Sequence, residues 1–489
     1  MATLKASLPV AKNRVANWRF VARAAAPLLA GAALALVPVP AGLSANAWHY
    51  FALFVAVMVG IITEPLPPAA VGLLGIVVAA ATGLVYGPTA QATAWALSGF
   101  SNSTVWLIFA AFVFALGYTK TGLGRRIALL LIRTLGRRTL GLGYAIALAD
   151  LALAPFMPSN TARGGGTIYP VVRNIPEMFG SHPHDESARK IGSYLLYTAL
   201  AATCVTSTMF MTALAANVLA VGLVASTIHV TITWTVWFKG FAPVGIVLFA
   251  LVPLLLYKIY PPEIKESPDA PRWAAEELER LGPITKKELT LLALVIVALA
   301  LWVAGSSYLD ATLAAMLVVA LMVILRVVTW EEILRNGEAW NVLIWLATLV
   351  TLSGGLAETK FVDWVGQTLA PSLSGRGTTS SILLLVGAFF FLHYLFAGMT
   401  AHVSALLPVF LGVAVEIPGV SPLGWALLLC GSLGLMGILT AYATAPNAIY
   451  YGSGYIPGKD FWRLGLILGV IFFVVYVTIG VPWLAYLKI

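Results

Sequence analysis

The residues with the clearest capacity for binding chemistry lie between two prolines in PSNTARGGGTIYP, residues 158–170. Ser159, Asn160 and Thr161 come where a helix has to restart after Pro158, and short polar side chains commonly cap a helix N-terminus. A helix N-terminus at membrane depth also presents free N–H groups and partial positive charge, which favour an anion. The segment therefore predicts a structural cap, an anion-binding tip, or both at once.

Arg163 belongs to the same tip. A charged side chain inside a bilayer is unfavourable by about 2.5–3.5 kcal/mol on insertion scales, so it normally lines a cavity or has a partner. The alternative is that its side chain extends along the hairpin to the membrane surface. The following Gly164, Gly165 and Gly166 allow either close helix packing or close approach of a ligand to the backbone.

A second polar tip occurs in HYLFAGMTAHVSALLPV, residues 393–409, and contains Thr400 and His402. Thr400 matches the threonine of the first tip. A single histidine in a membrane helix often makes only an interhelical hydrogen bond, so His402 is the weaker of the two basic candidates.

Each half of the chain also has one later helix with a polar interruption. The first, TALAANVLA, contains Asn217, and the second, TAYATAPNAIYYGSG, contains Thr444, Pro446 and Asn447. Both asparagines could simply cap a half-helix, but their matched placement favours coordination of a ligand or ion where discontinuous helices meet.

The composition tells which elements must position these residues. Hydrophobic residues make up 60% of the 489 positions and charged residues only 10%, which indicates an all-α polytopic membrane protein and excludes a soluble one. Residues 143–173 and 379–412 are apolar on both arms but broken in the middle, so we expect two re-entrant helical hairpins. Eleven apolar spans accompany them, near 19–40, 47–63, 66–86, 103–133, 191–222, 234–257, 288–306, 309–328, 338–357, 423–449 and 461–487.

The sequence lacks the residues that other classes of function would require. Cys204 and Cys430 lie far apart in apolar segments, so the sequence supports neither a disulfide framework nor a metal site. Of the 20 acidic residues only Asp150 lies well inside a hairpin arm, which leaves no carboxylate cluster for a metal cation or a proton relay. There is no phosphate-binding loop and no nucleophile–base pair, so we expect no cofactor, no ATP drive and no enzymatic activity.

The basic residues predict the orientation. With the N-terminus in the cytoplasm, all but five of the 29 lysines and arginines fall on the cytoplasmic side, as the positive-inside rule requires. The five exceptions are Arg163, Lys239, Lys360, Arg376 and Lys488. The net charge of +9 thus reports topology and not a nucleic-acid partner. An alternative for residues 1–47 is a signal peptide cleaved after ANA, although its basic region is long for one.

The two halves resemble each other in opposite orientation. GYTKTG at 117–122 recurs as AETKFV at 357–362, and each is followed by a hairpin and by an interrupted helix. Such inverted repeats are typical of secondary transporters. The predicted divisions are an N-terminal segment with the first helix (1–44), the first repeat (45–256), a cytoplasmic linker with a surface helix (257–287) and the second repeat (288–489).

The two tip motifs resemble the divalent-anion:sodium symporter family, whose signature is Ser-Asn-Thr at each hairpin tip. Arg163 after the first motif and the TAH sequence ending at His402 resemble its exchanger branch, of the 2-oxoglutarate/malate and citrate or tartrate:succinate type. The resemblance covers roughly residues 45–487. The second tip departs from it, since it reads Gly398-Met399-Thr400. The resemblance implies a usually dimeric fold in which transport parts move as an elevator against scaffold parts.

We therefore expect an antiporter that exchanges dicarboxylates or tricarboxylates, such as succinate, malate, 2-oxoglutarate, citrate or tartrate, without sodium, in a bacterial inner membrane. Arg163, with His402 as the lesser partner, would supply fixed positive charge where sodium-coupled relatives hold sodium. The partners of the protein would be these anions, the lipid bilayer and a second copy of the chain. The alternative within the same class is a sodium-coupled symporter for dicarboxylates or other divalent anions such as sulfate. From other classes, the alternatives are an anion channel or a membrane enzyme. The predicted substrate-binding residues are Ser159, Asn160, Thr161, Arg163, Asn217, Thr400, His402, Thr444, Pro446 and Asn447.

Overall fold

The computed structural model describes residues 10–303, 308–374 and 377–489. Lys5, Arg376 and the end of the predicted span 288–306 lie outside these described residues. The regular secondary structure within them is helical, apart from one isolated bridge between Arg138 and Glu266, and turns and loops connect the helices. Seven described helices are long and apolar enough to cross a membrane by length and composition, and six shorter apolar helices accompany them. The prediction of an all-α polytopic membrane protein is confirmed.

The first half ends with a long helix that leads into the linker, which contains one further helix. The helices of this part are α1 (Val10–Ala35), α2 (Ala45–Thr63), α3 (Pro68–Ala81), α4 (Ala90–Leu97), α5 (Ser103–Thr121), α6 (Leu123–Leu135), α7 (Thr139–Leu153), α8 (Tyr169–Val172), α9 (Ile175–Met178), α10 (Gly192–Met209), α11 (Ala215–Ile228), α12 (Trp234–Ile259) and α13 (Asp269–Leu281).

The second half follows the linker and has a similar order of elements. Its helices are α14 (Lys286–Val303), α15 (Ala311–Ile324), α16 (Trp330–Leu334), α17 (Gly337–Glu358), α18 (Phe361–Ser374), α19 (Thr378–Phe391), α20 (Met399–Val415), α21 (Pro422–Cys430), α22 (Leu433–Met436), α23 (Ala445–Gly452), α24 (Gly458–Val475) and α25 (Val481–Tyr486).

Both predicted hairpins contain a break between two helical arms. In hairpin 1, α7 continues as a 3₁₀ turn over Ala154–Phe156, and the chain restarts as a wide π-helix over Thr161–Ile168. In hairpin 2, α19 continues as a 3₁₀ turn over Leu392–Leu395 and restarts as α20. A π-helix is rare in proteins and often occurs at functional sites.

The predicted span 103–133 is two helices and not one. The chain turns at Gly122, whose φ of 77° lies in the left-handed region that glycine tolerates best. The second piece, α6, is amphipathic and packs against the linker helix α13. Arg125 is paired with Glu277 of α13, and Arg126 donates to Glu288 at the start of α14 at 2.6 Å. The charged face of α6 thus connects the first half to the linker and the second half.

The helices α2, α3, α5 and α17 pack against one another through small residues. A Cβ added at Gly99, between α4 and α5, would lie 1.9 Å from the carbonyl oxygen of Ala347 in α17. The Tyr50 hydroxyl donates to the Leu352 carbonyl across the same bundle at 2.6 Å. Such close backbone contact is the usual role of small residues between membrane helices. This bundle provides a firm frame beside the two hairpins.

Candidate anion-binding site

The tip of hairpin 1 is a helix start made of short polar residues. The Ser159 hydroxyl accepts a hydrogen bond from the Ala162 N–H at 3.1 Å, so serine does cap the restarted helix. It also lies 3.5 Å from a carboxylate oxygen of Glu338, at the start of α17. Asn160 and Thr161 follow it and are partly exposed. The tip therefore combines a buried cap with accessible polar groups beside the frame helix.

Arg163 is fully buried and is paired with Asp150 of the opposite hairpin arm. Its Nε lies 3.2 Å from both carboxylate oxygens. Asp150 in turn accepts hydrogen bonds from the hydroxyls of Thr203, at 2.9 Å, and Thr206, both on α10. The side chain of Arg163 therefore does not extend to the membrane surface, and that alternative is wrong.

The remaining donors of Arg163 all have protein acceptors. Nη1 donates to the carbonyl oxygens of Met157, at 2.8 Å, and Ala213, at 2.7 Å. Nη2 donates to the Ser207 hydroxyl at 2.9 Å and lies 3.5 Å from that of Thr206. The five N–H groups of the guanidinium are thus used within the protein.

These contacts correct one expectation from the sequence. We expected Arg163 to supply uncompensated positive charge, but Asp150 neutralises it within the same hairpin. Direct contact of Arg163 with a substrate stays a prediction. What the structure shows is a side chain that joins the hairpin tip to the break between α10 and α11.

The two asparagines hold the breaks in the same way in both halves. Nδ2 of Asn217 donates to the carbonyls ten and seven residues earlier, at Ser207 (2.6 Å) and Phe210 (3.2 Å). Nδ2 of Asn447 donates to the carbonyls at the same two intervals, at 2.8 and 2.7 Å. These are the carbonyls that an interrupted helix leaves without an intrahelical donor. The repeat predicted from the sequence is therefore visible in individual hydrogen bonds.

The acceptor oxygens of the two asparagines differ. Oδ1 of Asn447 accepts from the Thr444 hydroxyl at 2.5 Å, next to the buried Pro446 at the start of α23. Oδ1 of Asn217 is buried and has no hydrogen-bond partner in the described part of the chain. A ligand role for Asn217, Thr444, Pro446 and Asn447 stays a prediction, but the donors of both asparagines already serve the fold.

The tip of hairpin 2 explains its departure from the Ser-Asn-Thr motif. Gly398 has a φ of 112°, a left-handed conformation that a side chain such as serine rarely adopts. Thr400 follows at the start of α20 and is partly exposed, and its carbonyl accepts from the Ser404 hydroxyl at 2.8 Å. Thr400 therefore keeps the position of Thr161 on a backbone of different shape.

His402 is fully buried among aromatic rings. The ring centroids of Phe389, His393 and Phe396 lie 4.5, 5.1 and 5.1 Å from its own. Neither ring nitrogen of His402 has a hydrogen-bond partner in the described part of the chain. His393 donates from Nε2 to the Ala443 carbonyl at 3.2 Å, since a carbonyl can only accept. His393 is not among the site residues predicted from the sequence.

The restarted helix of hairpin 1 contacts the interrupted helix of the second half. The Tyr450 hydroxyl donates to the Gly164 carbonyl at 3.0 Å, and a Cβ at Gly165 would lie 2.5 Å from Cδ1 of Ile449. Two of the three glycines thus serve close packing between halves. Gly166 is exposed and has space around it, beside a cavity of about 570 Å³ that reaches α6 and α13.

Several residues of this network were missed from the sequence. Asp150 was noted but not paired, because only the hairpin register brings it opposite Arg163. The hydroxyl run in TCVTST of α10, which supplies Thr203, Thr206 and Ser207, was a usable signal in an otherwise apolar helix. His393 and Tyr450 gave no comparable signal.

Comparison with known proteins supports the transporter reading of this geometry. Residues 17–489 match the family model described as sodium:sulfate symporter transmembrane region. The chain is 47% identical over 479 residues to the L-tartrate/succinate antiporters of Shigella sonnei strain Ss046 and Escherichia coli strain K12. Each alignment covers 96% of this chain and 98% of the relative.

Solved structures give the same fold at low identity. The Alcanivorax borkumensis YdaH transporter aligns with a TM-score of 0.57 and 15% identity, over 86% of this chain and 97% of its own. Neisseria gonorrhoeae MtrF aligns with a TM-score of 0.55 and 15% identity, over 86% and 95%. At such identity these likenesses concern the fold alone. The family match and the identity to the antiporters extend over nearly the whole chain, so this multi-pass membrane protein belongs to the sodium:sulfate symporter family, in its antiporter branch, and is a transporter and not an enzyme.

Proposed function

We propose that this protein exchanges small dicarboxylates of the tartrate and succinate class across the membrane without sodium. Its 47% identical relatives are named L-tartrate/succinate antiporters, which supports the substrate class. The observation that carries the sodium independence is the buried guanidinium of Arg163 inside a cage of oxygen atoms.

The oxygen cage has the composition of a sodium site. It consists of two backbone carbonyls next to helix breaks, two hydroxyls and one carboxylate. Unwound carbonyls and half-helix ends are the groups that coordinate sodium in transporters with discontinuous helices. In this chain a covalently attached cation, Arg163, fills the cage. A carrier whose cage is already filled needs no sodium ion to hold the hairpin tip against the helix break.

The anion would be held by groups near the two hairpin tips. The candidates are the side chains of Ser159, Asn160, Thr161 and Thr400 and the free N–H groups at the restarted helices. His402 would add charge when protonated. Asp150 cancels the charge of Arg163, so these donors, and not the arginine, would compensate a dianion.

The cost of an empty site explains why the protein would exchange anions and not carry them in one direction only. A donor that loses its water and finds no acceptor costs about 1–3 kcal/mol, so moving the empty site through the membrane interior is unfavourable. A second anion satisfies the donors and restores the return step.

We propose that the hairpins, with α10, α11, α22 and α23, move as an elevator against the frame of α2, α3, α5 and α17, in a homodimer. Malate, 2-oxoglutarate and citrate are further candidate substrates.

The test is counterflow in proteoliposomes loaded with one unlabelled acid at a time, with and without sodium. We expect labelled succinate to enter when tartrate or succinate is inside, equally well in both media, and to enter empty vesicles poorly. Arg163→Gln should lose most of this exchange, by about tenfold or more, because it empties the cage and leaves Asp150 unpaired. The matched control is Arg173→Gln, an exposed arginine on the same hairpin. A strict sodium requirement would instead assign the protein to the sodium-coupled symporters.

A further inference from the structure

The matched backbone bonds allow the two halves to be superimposed residue by residue. The N–H of Arg163 bonds to the Ser159 carbonyl, and the N–H of His402 lies in the same relation to that of Gly398. His402 thus occupies the place of the arginine in the second tip. Arg163 is the buried cation of the first half. Comparison with His402 therefore tells whether the second half also holds a buried positive charge.

The residues around His402 are apolar at the positions where the first half has the polar partners of Arg163. In the first half the arginine contacts Asp150 and Met157, which precede it by 13 and 6 residues. At the same intervals before His402 stand Phe389 and Phe396, and both rings contact it. The carboxylate of the first half is therefore replaced by a phenyl ring in the second.

The hydroxyls of α10 have no counterparts either. The matched asparagine bonds align Ser207 with Gly437, because each carbonyl lies ten residues before its asparagine. The same interval gives the counterparts of Thr203 and Thr206, which hold the carboxylate in the first half. These counterparts are Leu433 and Met436. A protonated His402 would consequently find no fixed anion and no hydroxyl from this helix.

One contact of the arginine is kept, by a different residue. The arginine donates to the carbonyl of Ala213, four residues before its asparagine. The equivalent carbonyl is that of Ala443, and it accepts from Nε2 of His393 at 3.2 Å. An imidazole at His402 is too short to reach both the tip and the break as an arginine does. In the second half, His402 lies at the hairpin tip and His393 bonds to the helix break, and their ring centroids are 5.1 Å apart.

The bond to Ala443 fixes the protonation of His393. Its Nε2 carries the hydrogen, so its Nδ1 is an acceptor, and this buried nitrogen has no partner among the described residues. Both nitrogens of His402 are also buried without partners there. Three unpartnered nitrogens in adjacent rings form a place where a proton can be added and shared, which the first half, with its permanent cation, does not need.

We propose that His402 and His393 form a proton-binding pair that takes up one proton from solvent with each entering anion, and that His393 is the positioning residue that links this proton to the second helix break. This rests on the proposed function. The anion supplies the negative charge that the apolar surroundings withhold, so proton and anion stabilise each other. The empty pair is neutral, and the loaded pair carries one positive charge toward the dianion.

The elements around the histidine pair contain few other titratable groups. The helices packed against α20 are α2, α11, α17, α18, α19 and α21, and the 3₁₀ turn with His393 packs on α19. Within the described part of the chain, none of their titratable side chains makes a hydrogen bond, ion pair or aromatic ring contact with His402 or His393. They are His49, Tyr50, Glu338, Glu358, Asp363, Tyr394 and Cys430.

The direct test is proton uptake on anion binding by the purified protein in weakly buffered detergent solution, with a pH indicator. L-tartrate is the probe, because its hydroxyl groups make it a stronger acid than succinate and keep it dianionic near neutral pH. We expect uptake approaching one proton per bound tartrate in the parent and little in His402→Gln or His393→Gln. His49→Gln, at an exposed histidine of the frame, is the control and should behave as the parent. A parent that binds tartrate without proton uptake overturns the proposal, whatever the variants do.

Exchange kinetics separate positioning from simple packing. His393→Gln can still donate to the Ala443 carbonyl but cannot share the proton, so we expect its exchange at about pH 6 to fall to the lower level that the parent shows at about pH 8, where histidine is neutral, and to change little with pH. His393→Phe removes the donor as well and should lower exchange about tenfold at both pH values. An unchanged pH profile in His393→Gln would contradict the inference. Absence of exchange by the parent would instead refute the proposed function, since proton uptake is measured separately.

Discussion

The pairing of Arg163 with Asp150 is the central residue-scale feature of the first hairpin. Both side chains are fully buried, and together they use a guanidinium, a carboxylate and the hydroxyls of α10. A buried pair gains little over an apolar replacement of both partners, but removing one partner leaves a buried charge and costs about 3–5 kcal/mol. The pair should therefore be sensitive to single changes and more tolerant of a joint one.

This asymmetry predicts the stability of three variants. Asp150→Asn and Arg163→Gln should each destabilise the folded protein by about 3–5 kcal/mol, and the double variant by clearly less than their sum. Thermal unfolding in detergent, followed by intrinsic fluorescence, measures the change. Asp363→Asn, which removes a half-exposed partner of Lys360, is the control and should shift the transition little. Additive effects of the two buried substitutions would show that the ion pair does not couple them.

At the scale of elements, the polar breaks were readable from the sequence because they violate the apolar pattern that surrounds them. PSNTARGGG and TAPNAIYY mark helix restarts by their residue types alone. The backbone shape at each restart could not be read so directly. Thr161 begins a wide π-helix, whereas the matching Thr400 lies in an ordinary α-helix after Gly398. The φ angle at the residue before each restart differs as well, −59° at Asn160 and 112° at Gly398, and composition does not reveal such angles.

The partners across elements were also hidden, for a geometric reason. Which residue of one hairpin arm faces Arg163 depends on register, and the hydroxyls of α10 come from a helix some 40 residues later, as the separations of 43 and 44 residues show. The division of the role of one arginine between His402 and His393 required the two halves to be superimposed. Spacing along a single chain predicts where helices break, but not which side chains meet there.

The second tip gives a prediction about its glycine. Gly398→Ala should impair exchange, since a φ of 112° is strained for a residue with a Cβ by roughly 1–3 kcal/mol. Gly398→Ser should be as impaired, although it restores the serine of the first tip. Gly337→Ala, at a glycine with open space around it and no positive φ, is the control and should keep the parent's rate. A Gly398→Ser variant at least as active as the parent would mean that the motif residue matters more than the backbone shape.

For the molecule as a whole, the contacts of hairpin 1 are of two kinds. It is joined firmly to α10 and α23 through Arg163 and Tyr450, which are buried. Its tip meets the frame helix α17 through little more than the 3.5 Å approach of Ser159 to Glu338. The tip is thus held strongly by α10 and α23 and weakly by α17, so it can slide along α17, while the closer contact of α11 with α5 and α17 has to shear.

Movement of that unit predicts a change in the accessibility of Gly166. This exposed residue has open space around it, whereas a cysteine at Gly165 would collide with Ile449. In a Gly166→Cys variant, labelling by a membrane-impermeant maleimide should change when tartrate is added, because the cavity beside α6 and α13 narrows or opens as the hairpin moves. The native Cys204 and Cys430 are buried and give only background.

Two cysteine markers on exposed residues assign the side of the membrane from which this labelling occurs. The distribution of basic residues predicts that α13 lies in the cytoplasm and Lys360 outside. Glu276→Cys should therefore react in inverted vesicles and not in intact cells, and Lys360→Cys should show the reverse. Both markers should be indifferent to tartrate, since neither lies on the hairpin. If tartrate does not change the labelling of Gly166→Cys either, the hairpin does not move with the substrate. A fixed pore would then explain better how anions cross the membrane.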